Sequence, residues 1–148
     1  LDKSGIRLIG TGEITDDDQL ADIGDVALGL VTAHHYSAAH PSAMNKKYVA
    51  DFMAMHKFRP NFMSVGGWDG MQLIKRALDA SKGATGEALM AAMKGQIWES
   101  PRGQIFIDAQ TREIVQDLYI RKVEKRDGLL WNIEFDAIKQ MKDPGKSK

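Results

Sequence analysis

Residues 61–80 limit the fold of this chain more than any other stretch. An apolar run over 62–65 reaches the paired glycines Gly66 and Gly67, and a helix is expected to follow from Trp68 and Asp69. Met71, Ile74 and Leu78 recur at helical spacing, with Leu73 and Ala77 on the neighbouring face. A helix apolar over that much of its circumference is packed on more than one side. Asp69 falls in the first turn, where a carboxylate complements the positive end of the helix dipole. The glycines permit a sharp turn and leave amide groups accessible beside it. The stretch is therefore expected to be a core element and one wall of a possible site.

The flanking segments supply the layers around it. Residues 6–9 are a short strand candidate ended by Gly10-Thr11-Gly12, with Glu13 in the loop that follows. Asp16, Asp17 and Asp18 precede a weak helical spacing of Leu20, Ile23 and Val26. A second strand is expected around 28–32, leading into a small-residue loop with His34, His35, His40 and Pro41. His34 and His35 are adjacent, so on a strand they point to opposite faces. Ser42 is a plausible cap for a helix whose apolar stripe is Met44, Tyr48, Phe52 and Met55. Thr85 and Gly95 bracket a third helix, and 97–103 reads as a linking segment. Beyond it the period changes to two. Lys125-Arg126-Asp127-Gly128 marks a hairpin, and the alternation of Trp131, Ile133 and Phe135 with Asn132 and Glu134 predicts one buried and one wet face. Strand and helix alternating through most of the chain, then a hairpin, is α/β with an antiparallel appendage.

Several kinds of chemistry are excluded or disfavoured. Twenty basic and twenty acidic residues in a chain of 148 give no net charge, against a nucleic-acid footprint. There is no cysteine, so disulfides, thiolate catalysis and cysteine metal sites are out. Ser64 is not in a Gly-x-Ser-x-Gly setting, and Gly66-Gly67-Trp68-Asp69-Gly70 is neither a phosphate loop nor a dinucleotide turn. The three aspartates lack calcium-loop spacing, and the histidines lack a helical His-x3-His pair, so no metal or other cofactor is expected. The N-terminal residues have no basic region followed by an apolar core, so no signal peptide is read there, and the start suggests a fragment or a processed product.

A resemblance adds to this. Gly5-Ile6-Arg7-Leu8-Ile9-Gly10 with its acidic loop comes first, then Ala27-Leu28-Gly29-Leu30-Val31 and Tyr48-Val49-Ala50-Asp51-Phe52. Trp68-Asp69-Gly70 stands where the family usually has Tyr-Asp-Ala; then come Glu87-Ala88-Leu89 through Gly95, Ser100-Pro101-Arg102-Gly103 and the hairpin. In order and spacing, over nearly the whole chain, this resembles the C-terminal part of a type I periplasmic solute-binding protein of the branched-chain amino acid ABC transporter class. The resemblance implies a partial α/β fold of Rossmann- or flavodoxin-like lobes with a C-terminal antiparallel hairpin. Residues 1–33 would belong to the second lobe, and 34–103 to a crossover plus part of the first, with helices 42–57, 67–81 and 85–94. Residues 104–148 would return to the second lobe with the hairpin 117–135.

It also implies a function. The parent would be a non-enzymatic, periplasmic receptor that closes on a hydrophobic or branched-chain amino acid or an aromatic acid and delivers it to an ABC permease. Gly12 or Glu13 occupies the place of an acidic residue that faces the ligand's amino group in the family, and Phe62 and Trp68 are candidates for cleft-lining aromatics. Trp68 in place of Tyr adds apolar area, pointing to a hydrophobic or aromatic acid. Half a cleft would bind weakly and could self-associate. An independent α/β regulatory ligand-binding domain is the alternative.

Overall fold

A computed structural model describes residues 5–146. Residues 1–4 and 147–148, the outer ends of the first and third expected segments, lie outside the described residues. In chain order the elements are β1 (Ile9–Thr11), a single turn α1 (Leu20–Ile23), β2 (Val31–His34), α2 (Ala43–His56), α3 (Phe62–Ala80), α4 (Gly86–Met93), β3 (Ile97–Ser100), β4 (Gly103–Ile107), β5 (Ile114–Arg126) and β6 (Leu129–Met141).

The other strands converge on β5. Residues 119–122 of β5 pair antiparallel with β2, Ile114 and Val115 pair with β4, and β6 takes the partners from Gln116 to Arg126. β1 adds parallel to β2 and β3 antiparallel to β4, giving a six-stranded sheet of order β1-β2-β5-β4-β3 with β6 beside β5. The β5–β6 turn is the expected Asp-Gly: Asp127 has φ 51° and Gly128 φ 80°, the two positive angles that a tight hairpin requires. The ribbon runs well past 117–135 because pairing continues to Gln116 opposite Met141, through two register shifts.

Several local expectations are corrected. β1 starts at Ile9, not Ile6, because its parallel register with β2 begins at Ile9 opposite Val31, and Ile6 and Leu8 are exposed. β2 starts at Val31 because residues 24–27 form a 3-10 turn and the chain then passes Gly29 at φ 79°. The 97–103 linking segment is instead the β3–β4 hairpin, whose closing pair is Ser100 opposite Gly103. α3 begins at Phe62. Asn61 Oδ1 accepts from the Ser64 amide at 2.9 Å and Ser64 Oγ accepts from the Asn61 amide at 2.9 Å. This reciprocal cap outweighs the glycine pair, which lies inside the helix. Ser42 caps α2 as expected, its Oγ accepting from the Asn45 amide at 3.0 Å.

Burial also departs from expectation. On α3 the buried residues are Val65, Asp69 and Ala77, whereas Met71 is 64% exposed and Ile74 and Leu78 are also exposed. The helix is covered through Trp68 and Leu73 against Trp98, Ile105 and Ile107, and its far side is open. On β6 the inward face is Leu130 and Asn132, the reverse of the expected alternation, and Phe135 is exposed. Asn132 is held inside by hydrogen bonds. Its Nδ2 donates to Thr15 O (2.7 Å) and Asp17 Oδ1 (3.2 Å), and its Oδ1 accepts from Thr15 Oγ1 (3.0 Å). A second apolar cluster joins Leu20, Ala27, Val123 and Leu130. Along β5, Val123 belongs to this cluster and Ile114 borders the Trp98 cluster, with Arg121 and Tyr119 buried between them.

Candidate functional site

The polar centre is built around Arg121, which is fully buried. Among the described residues no carboxylate touches its guanidinium; neutral oxygens do. Nη2–H donates to Gly12 O at 3.1 Å, Nε–H and Nη2–H donate to Thr32 Oγ1 at 3.3 and 3.2 Å, and Nη1–H donates to Tyr36 O. One rigid fork therefore ties the turn after β1 to both flanks of the residues leaving β2. Burial holds the guanidinium below its usual range, opposed by the charges of Asp17 and Asp16. Asp17 is itself pushed up by burial, while its Oδ2 accepts from the Ala38 amide at 2.9 Å.

The residues that this fork positions are His34 and His35. β2 ends at His34 and the chain bends at His35, so the rings stack, with centroids 4.4 Å apart and planes 24° from parallel. The expected opposite orientation does not arise, because strand geometry stops one residue too early. Phe62, the first residue of α3, stands edge-on to both rings, at 5.0 Å from His34 and 6.0 Å from His35. His34 is 4% exposed and neither of its ring nitrogens has a hydrogen-bond partner. Burial, with the Arg121 charge adding to it, lowers its pKa to about 4; burial and then Arg102 lower that of His35 to about 3. Both imidazoles are neutral at neutral pH.

Three of the sequence candidates meet here. Gly12 is buried, and a Cβ placed on it would lie 2.2 Å from the His34 ring. Glu13 lies on the solvent side, its side chain 54% exposed, with Oε1 3.7 Å from His34 Nε2. Hydrogen bonds from its own amide and from Thr11 hold its carboxyl below the usual range, so it is an ionised acceptor. Phe62 completes the ring cluster. Trp68 is elsewhere. Six residues further along α3, it is turned roughly 120° about the helix axis, packs on the Trp98 cluster and stands 6.2 Å from Tyr48. There it lines a hollow of about 260 Å³ with Met44, Tyr48, Phe52 and Met55. That hollow is lined mainly by apolar side chains. Its lining also carries the ion pair of Lys47 and Asp51 at 2.6 Å, the Tyr48 hydroxyl and His56.

Asp69, expected at a helix start, is instead buried mid-helix. Its Oδ2 accepts from Arg102 Nε–H at 2.7 Å and its Oδ1 from Trp98 Nε1–H at 3.2 Å, which fixes the β3–β4 turn onto α3. Among the described residues, no group of three or more His, Cys, Asp or Glu is placed to hold a metal ion. His34, His35 and Arg121 were not singled out as site residues from the sequence. Arg121 carried a signal, since strand period two sets it on the same face as Tyr119 and Val123, where a lone arginine must find acceptors.

Comparison with known proteins gives a consistent result. The family model described as periplasmic binding protein matches residues 1–128. Leu/Ile/Val-binding protein homolog 6 of Brucella abortus (strain 2308) is 37% identical over 149 aligned positions, covering 98% of this chain and 38% of that protein. A solute-binding protein of an ABC transporter from Rhodopseudomonas palustris BisB5, solved with 3,4-dihydroxybenzoic acid, is 59% identical with a TM-score of 0.95, covering 99% of this chain and 40% of that one. A counterpart from Rhodopseudomonas palustris HaA2, solved with p-hydroxybenzoic acid, is 35% identical with a TM-score of 0.91 over the same shares. The chain thus spans about two-fifths of the length of the relatives it matches.

Proposed function

Because this chain belongs to the periplasmic binding protein family, we propose that it forms part of an extracytoplasmic receptor that captures a small aromatic carboxylate for an ABC permease, with no bond made or broken. The observation that carries this reading is the ring cluster of His34, His35 and Phe62 with the Glu13 carboxylate at its edge. Flat rings set edge-on and stacked favour another aromatic ring over an aliphatic side chain. The 59% identity to a protein solved with 3,4-dihydroxybenzoic acid supports the same ligand class.

On this reading residues 1–33 and 104–148 stand in one lobe and 34–103 contribute to the other. Gly12, Glu13 and Phe62 line the cleft between lobes, and Trp68 supports the first lobe from behind. The opposite wall of the cleft comes from the part of the receptor that this chain does not span. Closure of the lobes about the crossovers buries the ligand. The permease and the small acid are its partners, and a preparation of this chain alone exposes apolar helix faces through which copies associate.

Calorimetric titration of the receptor that carries this chain tests the reading. Micromolar or tighter binding of 4-hydroxybenzoate or 3,4-dihydroxybenzoate is expected. Heat with leucine, isoleucine or valine and none with the aromatic acids would reassign it to amino acids, the ligands in the Brucella relative's name.

A further inference from the structure

The short connection between α2 and α3 holds two remote parts of the chain. Arg59 Nη1–H donates to Leu130 O at 2.7 Å, and the guanidinium lies over the Trp131 ring, 4.3 Å from its centroid. Among the described residues β6 pairs with β5 alone, so its outer edge is open, and Leu130 O finds its partner in this arginine rather than in another strand. Asn61 Nδ2–H donates to Asp18 Oδ2 at 3.0 Å, while Asn61 Oδ1 caps α3. Pro60, buried between the two, fixes the backbone that presents them. Arg59, Asn61, Asp18 and Trp131 are all half-buried, unlike the fully buried Arg121, so water can answer each group when its partner withdraws. An N–H···O bond is lost beyond about 3.2 Å, so a separation of about 1 Å breaks both. The chain matches, at a TM-score of 0.95, a relative solved in complex with 3,4-dihydroxybenzoic acid, and the contacts therefore belong to a ligand-holding arrangement.

We infer that Arg59 and Asn61 clasp the two lobes together over the ligand and thereby set its rate of release. The inference rests on the two-lobe reading above, in which 59 and 61 stand in the first lobe and 18, 130 and 131 in the second. It holds for whichever acid the cleft takes. Opening has to break these contacts before the ligand leaves, so they add to the barrier for release. Association starts from the open receptor, where the contacts are absent, and its rate is little affected by them. Arg59 and Asn61 are positioning residues in this scheme: they act on the lobes, not on the ligand.

Stopped-flow measurement of association and release tests this in the receptor carrying this chain, with 4-hydroxybenzoate, or with leucine if that is the acid bound. Arg59→Met keeps the aliphatic stem and removes the guanidinium. It is expected to speed release roughly tenfold and to leave association within about twofold. Trp131→Leu is expected to speed release less, and the double variant no more than Arg59→Met alone, because both act on one contact. Asp18→Ala removes the partner of Asn61 without touching the α3 cap. It is expected to speed release several-fold and decides the matter if Arg59→Met does not fold. The urea midpoint of the ligand-free receptor is expected to be unchanged by either substitution, since the open form makes neither contact. Unchanged release in both variants would overturn the inference and leave the functional reading intact. So would a lowered ligand-free midpoint with release unaltered, the mark of a merely structural contact. A receptor that binds none of these acids would overturn the functional reading, and the inference with it.

Discussion

Gly12 and His34 share one volume: a Cβ on Gly12 would stand 2.2 Å from Cγ of the His34 ring and 2.3 Å from its Cβ and Cδ2. The glycine is fixed by what lies opposite it. Its backbone is in a 3-10 turn, and its carbonyl is already committed to Arg121. Gly12→Ala is therefore expected to push the imidazole off its stack with His35. Overpacking of this kind costs about 1–3 kcal/mol. A lower urea midpoint, with a loss of aromatic-acid affinity larger than the loss of stability accounts for, is the expected result.

Gly67 is the opposite case. It lies inside α3, and nothing would come within 4 Å of an added Cβ. Gly67→Ala is expected to raise stability by about 0.5–1 kcal/mol, since glycine costs that much in a helix interior. Thermal unfolding of the two alanine variants side by side should move in opposite directions, and a fall for Gly67→Ala would show that the space beside α3 is occupied.

Arg121 is a buried cation answered by Gly12 O, Thr32 Oγ1 and Tyr36 O. Arg121→Met would leave those oxygens unpaired and Asp17 without the charge that does most to offset its burial, an expected loss of about 3–5 kcal/mol. Arg121→Lys is expected to recover only part of it, because a single ammonium cannot reproduce the planar fork. Urea denaturation of the three proteins measures the order.

The histidine pair gives stability a pH dependence whose sign follows from burial. Unfolded, each imidazole takes up its proton near 6.5; folded, only near 4 for His34 and 3 for His35. Between those values the unfolded chain holds more protons, so this part of the stability is complete above pH 6.5 and is lost as pH falls towards 4. Asp16 acts oppositely. Burial raises it from 3.8 to about 6, so the folded state holds the extra proton in that window and gains as pH falls. His34→Phe/His35→Phe is expected to lose less stability than wild type between pH 7 and 4.5, read as the change in urea midpoint. Identical slopes for the two proteins would mean that the rings are protonated in the fold.

The α/β class, the three helices and the Asp127-Gly128 hairpin were legible because they rest on local signals: the Ser42 cap, helical periodicity and a turn pair, although Thr85 makes no side-chain cap. The order of motifs identified the family, and of the site candidates that it named, Gly12, Glu13 and Phe62 lie together around the His34 ring. What was not legible depended on distant partners. Asn132 turns inward because Thr15 and Asp17 wait for it more than a hundred residues earlier, and no alternation rule registers that. Asn61 and Ser64 outvoted Gly66 and Gly67 as the helix start because a reciprocal cap satisfies orphan amides and a glycine pair does not. Met71, Ile74 and Leu78 read as core by spacing, yet this chain offers them no covering layer. His34 and His35 stack because β2 stops between them, a boundary that sequence places only to within a few residues.

The convergence on β5 also has a consequence in time. Val31 is paired with Lys122 and His34 with Tyr119, so β2 is completed by a strand made about ninety residues later. During synthesis the edge of β2 that takes β5 waits until residue 122 is made. Contacts this remote slow folding. Over that interval the open edge of β2 is exposed to wrong pairing, so rapid closure of the β5–β6 ribbon onto it guards the receptor against aggregation.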